Sequence, residues 1–119
     1  MDTDIQHYIT HTAAQPWQPL VEKAVHYTGV YVKSLRFDPL QHRSPSILLR
    51  FDAGAAYPYH NHPGGEELYV ISGEVDIAGA HLVSGDYLYT PPGFKHLVSS
   101  GPGCILLLIV PEEVELINS

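Results

Sequence analysis

The chain has 119 residues and a mass of 13.2 kDa, a size that accommodates one compact domain and leaves no room for a second. Six basic against 13 acidic residues give a formal net charge of −7, which argues against nucleic acids and anionic membranes as partners. The single cysteine, Cys104, excludes an intrachain disulfide and any two-cysteine redox or zinc motif. Because neither a signal peptide nor an apolar run of about 18 residues is found, we expect a soluble, cytoplasmic protein.

Residues 1–26 show neither the helical nor the strand period, which predicts an irregular amino-terminal arm. Residues 28–37 and 47–53 are rich in β-branched and aromatic side chains, which predicts two strands. In the second half of the chain, short strand-like runs alternate with turns rich in Gly, Pro, Ser and Asp, a pattern typical of an all-β sandwich or small barrel. We place this barrel at residues 27–111, followed by a tail or edge strand at 112–119.

Two of the later runs, residues 68–72 and 104–110, are almost continuously apolar instead of alternating with polar residues. A strand with this composition is typically covered on both faces. One face of these strands packs on the core of the domain. The other face must be covered by the amino-terminal strands or by another subunit, and domains of this kind commonly use both. We therefore predict a homodimer.

The eight histidines outnumber Lys and Arg combined, which directs attention to imidazole metal sites. His60 and His62 are two residues apart, so on a strand both rings point to one face and can converge on one ion. Glu66 follows beyond a Pro-Gly-Gly turn, and a second block with a Pro-Pro-Gly turn ends in His96. A meander of short strands can bring His96 back beside His60.

The segments GAAYPYHNHPGGEELYVISG (54–73) and GDYLYTPPGFKH (85–96) resemble the two motifs of the cupin superfamily, glycine and proline positions included. The variant HNHPGGEELYVISGE is most similar to the cupin lobe of ChrR-type anti-sigma factors and to the small cupins grouped with them. The resemblance implies a double-stranded β-helix, which is a jelly-roll barrel. Those anti-sigma factors carry a separate amino-terminal zinc-binding helical domain, which we expect this chain to lack.

The resemblance implies four ligands for one divalent transition metal ion per chain: His60, His62, Glu66 and His96. Motif spacing and parity favour Glu66 over the adjacent Glu67, which is expected to face solvent. A donor set without thiolate suits Fe(II), Mn(II), Co(II), Ni(II) or Zn(II). The sequence departs from the family pattern at Ser100, where an asparagine often follows the last histidine by four residues.

Other candidate residues have structural interpretations. Four histidines in polar segments are expected to be solvated: His7, His11, His26 and His42. Four tyrosines that alternate along two strands are expected to pack or to form an interface: Tyr57, Tyr59, Tyr87 and Tyr89. Three apolar residues in register with the ligands are expected to line a cavity: Leu68, Val70 and Phe94. His81 is expected on a hairpin surface, Cys104 as a small buried hydrophobe, and Arg50 in a pair with a surface carboxylate.

Two functions from different classes fit this site, both with a small molecule as ligand. The first is an Fe(II)-dependent dioxygenase in which a chelating ketone binds the ion through two oxygens and undergoes C–C cleavage with O2, as small cupins of this kind do. The alternative is a non-catalytic zinc-binding module that senses a small molecule or an oxidant, by analogy with the ChrR-type lobe. The lack of a recognisable partner-binding segment favours the enzyme, and the lack of a general base beyond the ligands favours the module.

Overall fold

A computed structural model describes residues 1–117 and arranges ten strands of this part of the chain in one curled sheet. Two short 3-10 helices, Ile5–Tyr8 and Thr12–Ala14, precede the strands. In chain order the strands are β1 (Gln18–Glu22), β2 (Val25–Asp38), β3 (Arg43–Phe51), β4 (Ala56–Asn61), β5 (Glu66–Ile77), β6 (Ala80–Val83), β7 (Tyr87–Thr90), β8 (Lys95–Ser99), β9 (Cys104–Ile109) and β10 (Glu115–Leu116). Within residues 1–117, no helix has the length and apolar character needed to cross a membrane.

The sheet closes into two layers because β5 takes part in both. The first half of β5, up to Gly73, pairs with β7 and β9, and β9 connects it through β3 and β2 to β1. The second half, from Glu74 onward, pairs with β6 and β8, and β8 connects it through β4 to β10. The inner faces of the two layers enclose one apolar core. This architecture confirms the all-β jelly-roll barrel that the sequence predicts.

Gly73 is the residue at which β5 passes from one layer to the other. Its φ of +79° lies in the left-handed region, which favours glycine. A Cβ atom at this position would lie 2.2 Å from the carbonyl oxygen of Gly103 and 2.7 Å from Cα of Cys104. The bend of β5 therefore depends on a residue without a side chain.

We expect Gly73→Ala to lower the free energy of unfolding by roughly 2–5 kcal/mol, because left-handed strain adds to a clash between backbones. Gly79 is a matched control: its φ is +81°, yet its added Cβ would meet no atom within 4 Å. Gly79→Ala is therefore expected to cost only about 1–2 kcal/mol, the strain alone. Denaturant unfolding of both variants measures the difference, and equal losses would contradict the close approach at Gly73.

The amino-terminal segment contains a strand that the sequence did not predict. β1 lies within residues 1–26, for which an irregular arm was expected, and it pairs with β2, which begins at Val25. The five residues of β1 bury only Leu20 and include Pro19, a residue that strands seldom contain. So short a segment with one buried position gives no measurable period.

Of the two alternatives for the carboxyl-terminal segment, the structure has the edge strand. β10 pairs with β4, with Leu116 opposite His60, and the side-chain amide of Asn61 donates to Glu115 Oε1 at 2.8 Å. β10 thus covers the outer edge of the strand that carries the first histidine of the metal motif. Residues 118–119 of the predicted segment lie outside the described part.

The outer face of the first layer is apolar and exposed. Along β5, Leu68 and Val70 are buried, whereas Tyr69 and Ile71 are 44 % and 43 % exposed. Within residues 1–117, β5 is therefore not covered on its outer face. β1 and β2 extend the sheet at its edge instead of packing over β5 and β9.

Candidate metal centre

Three histidines from two neighbouring strands meet inside the barrel. His60 lies in β4, His62 follows that strand directly, and His96 lies in β8. In the antiparallel register of β4 and β8, His60 stands opposite His96, as the predicted meander requires. All three side chains are buried. Strand pairing therefore brings the two sequence blocks into one site.

The ring nitrogens of these histidines converge. Nε2 of His60 lies 2.8 Å from Nε2 of His62, and one candidate ligand atom from each of the three rings lies within 4.8 Å of the others. Nδ1–H of His60 donates to the carbonyl oxygen of Pro58 at 2.7 Å, which leaves the lone pair on Nε2 facing the cluster. Three such nitrogens could bind one divalent ion.

Glu66 lies beside the cluster at the start of β5. Its side chain is 3 % exposed, with Oε2 at 3.1 Å from His62 Nε2 and Oε1 at 3.9 Å from His96 Nε2. The adjacent Glu67 is exposed and accepts a hydrogen bond from the hydroxyl of Tyr87 at 2.7 Å. The structure thus brings together all four residues that the cupin resemblance implies, with the three histidines as the tightest group.

Burial shifts the pKa values in this cluster. Desolvation, with repulsion from the neighbouring imidazoles, lowers the pKa of His62 to about 3 and that of His96 to about 4. Burial also lowers the pKa of His60. The rings are therefore neutral at pH 7, which is the form that binds metals. Burial raises the pKa of Glu66 to about 8, so without a cation this carboxyl group holds its proton at pH 7.

The donor set fits a divalent transition metal ion. His96 Nε2 and Glu66 Oε1 are buried and have no hydrogen-bond partner within the described chain. Such orphaned atoms are costly, and an ion bound at the centre of the cluster would satisfy both. Imidazole and carboxylate donors suit Fe(II), Mn(II), Co(II), Ni(II) and Zn(II) alike, so the geometry does not select among them.

A cavity of about 680 Å³ connects this cluster with the protein surface. Its buried inner end includes His60, His62 and Glu66, and exposed residues such as Lys23 and His42 line its mouth. Most of the wall between them is aliphatic or aromatic, including Leu20, Leu49, Phe51, Leu68, Leu106 and Leu108. The volume is in the range of small-molecule sites.

Of the three residues predicted to line the cavity, only Leu68 does so. Val70 is fully buried in the core without reaching it. The prediction for Phe94 was wrong: this ring is 49 % exposed and does not line the cavity. Phe94 precedes β8 and belongs to the turn, where the alternation that orients His96 does not apply.

Other side chains lie where the sequence predicts them. His81 is exposed between two carboxylates, with Nδ1 at 2.7 Å from Asp76 and Nε2 at 2.9 Å from Glu74. Nε of Arg50 lies 3.8 Å from a carboxylate oxygen of Asp52. The four histidines expected to be solvated are exposed: His7, His11, His26 and His42. Cys104, the first residue of β9, is buried.

Sequence reasoning missed a polar pair in the cavity wall. The hydroxyl of Tyr57 donates to Glu22 Oε1 at 2.5 Å, and the Tyr57 ring packs edge-on against His60 with centroids 4.7 Å apart. Glu22 belongs to the unpredicted strand β1, so no signal connected it with the metal motif. Among the four tyrosines expected to pack or to form an interface, Tyr57 is buried and three are exposed: Tyr59, Tyr87 and Tyr89.

A jelly-roll barrel whose paired strands join an HxH motif to a later histidine defines a cupin. Residues 5–110 match the family model of the ChrR Cupin-like domain, and the chain belongs to that family.

One curated protein that is similar to this chain is much longer. The chain is 42 % identical over 59 residues to the DNA damage-repair/toleration protein DRT102 of Arabidopsis thaliana, which covers 44 % of this chain and 19 % of that protein. The chain therefore spans about a fifth of the length of this curated relative.

Two solved structures share the fold. An acetylacetone dioxygenase from Acinetobacter johnsonii has a TM-score of 0.74 and 16 % identity, covering 87 % of this chain and 72 % of that one. The anti-sigma ChrR in complex with SigE from Rhodobacter sphaeroides has a TM-score of 0.64 and 21 % identity, covering 82 % of this chain and 50 % of that one. At these identities the likeness establishes the fold alone.

Proposed function

We propose that this chain is an Fe(II)-dependent dioxygenase that cleaves a small chelating ketone. The observation that carries the proposal is a buried three-histidine cluster, two of whose rings line the inner end of a largely apolar cavity that opens to solvent. A metal site that only supports the fold is typically closed by four protein ligands and needs no ligand cavity. The acetylacetone dioxygenase named above is compatible in fold, and the proposal rests on the site.

The protein side chains have separable tasks in this reaction. When bound, Fe(II) supplies Lewis-acid polarisation of two ketone oxygens and the redox chemistry with O2. The Nε2 atoms of His60, His62 and His96 would hold the ion, and Glu66 lies where its carboxylate can serve as a fourth ligand. The apolar wall around Leu68 excludes water and holds the hydrocarbon part of the substrate. Both atoms of one O2 enter the products for each C–C bond that is cleaved.

Oxygen uptake by the Fe(II)-loaded protein tests the proposal. A panel of β-diketones and hydroxyaryl ketones is expected to include a substrate that consumes one O2 per molecule cleaved. His96→Ala is expected to abolish uptake, and His81→Ala, which changes an exposed histidine outside the cavity, is expected to retain it. Protein with full Fe(II) occupancy and no uptake across the panel would refute the proposal.

Membership in the ChrR Cupin-like family favours a second candidate, a zinc-binding module that senses a small molecule or an oxidant. Three histidines and Glu66 can provide the four donors of a closed tetrahedral zinc site. Elemental analysis of protein purified without chelators separates the two candidates. Near-stoichiometric zinc together with an inert Fe(II) form would favour the module, and near-stoichiometric iron would favour the enzyme.

We also propose that two copies of the chain pair through the outer face of the first layer. Tyr69 and Ile71 of β5 and Ile109 of the adjacent β9 are exposed apolar side chains on this face. Light scattering is expected to give twice the 13.2 kDa of one chain. Ile71→Arg is expected to yield monomers, whereas Val83→Arg, at an equally exposed position in β6, is expected to leave the dimer intact. A monomeric wild-type protein would contradict the proposal.

A further inference from the structure

Glu22 and Tyr57 form a polar pair among apolar residues of the cavity wall. Glu22 is half-buried at the end of β1, and the Tyr57 side chain is 7 % exposed. Both line the same cavity as the metal cluster, and the Tyr57 ring contacts that of His60. The pair therefore lies beside the place where a metal-bound ligand would sit. The proposed reaction does not use either side chain, so their position needs another explanation.

This pair can accept further hydrogen bonds but has no proton left to donate. A phenol has a single proton, and the hydroxyl of Tyr57 donates it to Glu22 Oε1. A carboxylate only accepts hydrogen bonds. What the pair offers to the cavity is thus acceptor capacity with negative charge, which a ligand satisfies by donating an O–H or N–H group.

Two of the basic residues that line the cavity, Lys33 and Arg43, donate hydrogen bonds to main-chain carbonyl groups. Lys33 Nζ donates to the carbonyl oxygen of Thr12 at 2.8 Å, and Arg43 Nη1 donates to that of Val110 at 2.8 Å. Both cations are thus engaged by the main chain. Lys23 is exposed at the β1–β2 turn. Within residues 1–117 none of these cations forms an ion pair with Glu22, so its carboxylate can accept a hydrogen bond from a ligand.

We propose that the site selects a chelating ketone that also carries a hydroxyl group, which donates a hydrogen bond to Glu22. This inference rests on the proposed function, because the ketone oxygens must bind the ion for the hydroxyl to reach the pair. A hydrogen bond to a charged acceptor in a site of this kind corresponds to roughly a tenfold to hundredfold gain in affinity.

Binding of matched β-diketones to the Co(II)-loaded protein tests the inference, with the visible spectrum of the ion as the signal. The probes are 1-phenyl-1,3-butanedione and its meta- and para-hydroxyphenyl derivatives. The wild-type protein is expected to bind at least one hydroxylated probe ten times or more tighter than the parent compound. Glu22→Gln is expected to bring this ratio of Kd values close to one. The double change Glu22→Leu with Tyr57→Phe removes both polar partners together and is expected to do the same.

The surface pair of Glu67 and Tyr87 provides the matched control, because it has the same hydrogen bond outside the cavity. Glu67→Gln is expected to keep the wild-type ratio. A wild-type ratio near one, or a ratio that survives both Glu22 variants, would overturn this inference and leave the proposed function standing. If no diketone perturbs the Co(II) spectrum, chelation fails, and the proposed function and this inference fall together.

Discussion

Replacement of His60 by alanine is expected to reduce metal content from near one ion per chain to a small fraction of that value. His60 supplies the Nε2 atom that lies 2.8 Å from His62 Nε2, and its register opposite His96 places it centrally in the cluster. Loss of an outer hydrogen-bond partner of a ligand typically costs 10–100-fold in affinity, and loss of a ligand itself is expected to cost more than about 100-fold. Elemental analysis of the variant and the wild type, purified side by side, measures the effect.

A second readout of the same variant separates loss of the ion from loss of the fold. A ligand present at about 1,000 times its Kd stabilises the native state by about 4 kcal/mol. Added metal is therefore expected to raise the Tm of the wild type clearly and that of His60→Ala much less, because a 100-fold weaker site gains only about 1.4 kcal/mol at the same metal concentration. His81→Ala is the control, because that ring is exposed and paired with Asp76 and Glu74. Full metal occupancy in His60→Ala would show that the three-histidine assignment is wrong.

The metal cluster could be predicted from the sequence because its two blocks resemble the cupin motifs, and local rules agree with the positions that this resemblance implies. The spacing of His60 and His62 fixes one shared face, and the turns on either side of β7 return His96 to the neighbouring strand. Parity also distinguishes the buried Glu66 from the exposed Glu67. These relations depend on alternation along strands and on turn residues, which a single sequence displays directly.

The cavity wall could be predicted only in part because it depends on contacts between distant segments. Glu22 reaches Tyr57 through strand β1, whose only buried residue is Leu20. A single buried position produces no period, so the sequence does not distinguish this strand from an irregular arm. The prediction for Phe94 is wrong for a different reason. Side chains alternate between the two faces only within a strand, and Phe94 lies one residue before β8 begins. The metal ligands could therefore be predicted from the sequence, and the cavity-wall residues that would select a substrate could not.

Metal affinity is expected to rise about tenfold per pH unit between about pH 5.5 and 7.5, because Glu66 must lose a proton to bind the ion. Burial raises the pKa of Glu66 to about 8, so below that pH each unit costs one power of ten in the fraction of carboxylate. The pKa values of His62 and His96, about 3 and 4, leave those rings neutral throughout this range, so they add no slope. The pKa of His60 is also lowered by burial, and an imidazole that is still protonated must likewise lose its proton to bind the ion, so the sign is the same for both groups: binding releases protons and strengthens as pH rises.

Competition with a chelator of known affinity at several pH values measures this slope. The glutamine side chain in Glu66→Gln has no proton to release on metal binding. The metal affinity of this variant is expected to be weaker than that of the wild type at pH 7.5 and nearly independent of pH. Glu67→Gln is the matched control, since that carboxylate is exposed and bonded to Tyr87, and it is expected to keep the wild-type slope. A flat wild-type profile would mean that metal binding releases no proton from Glu66 in this range and would contradict the prediction.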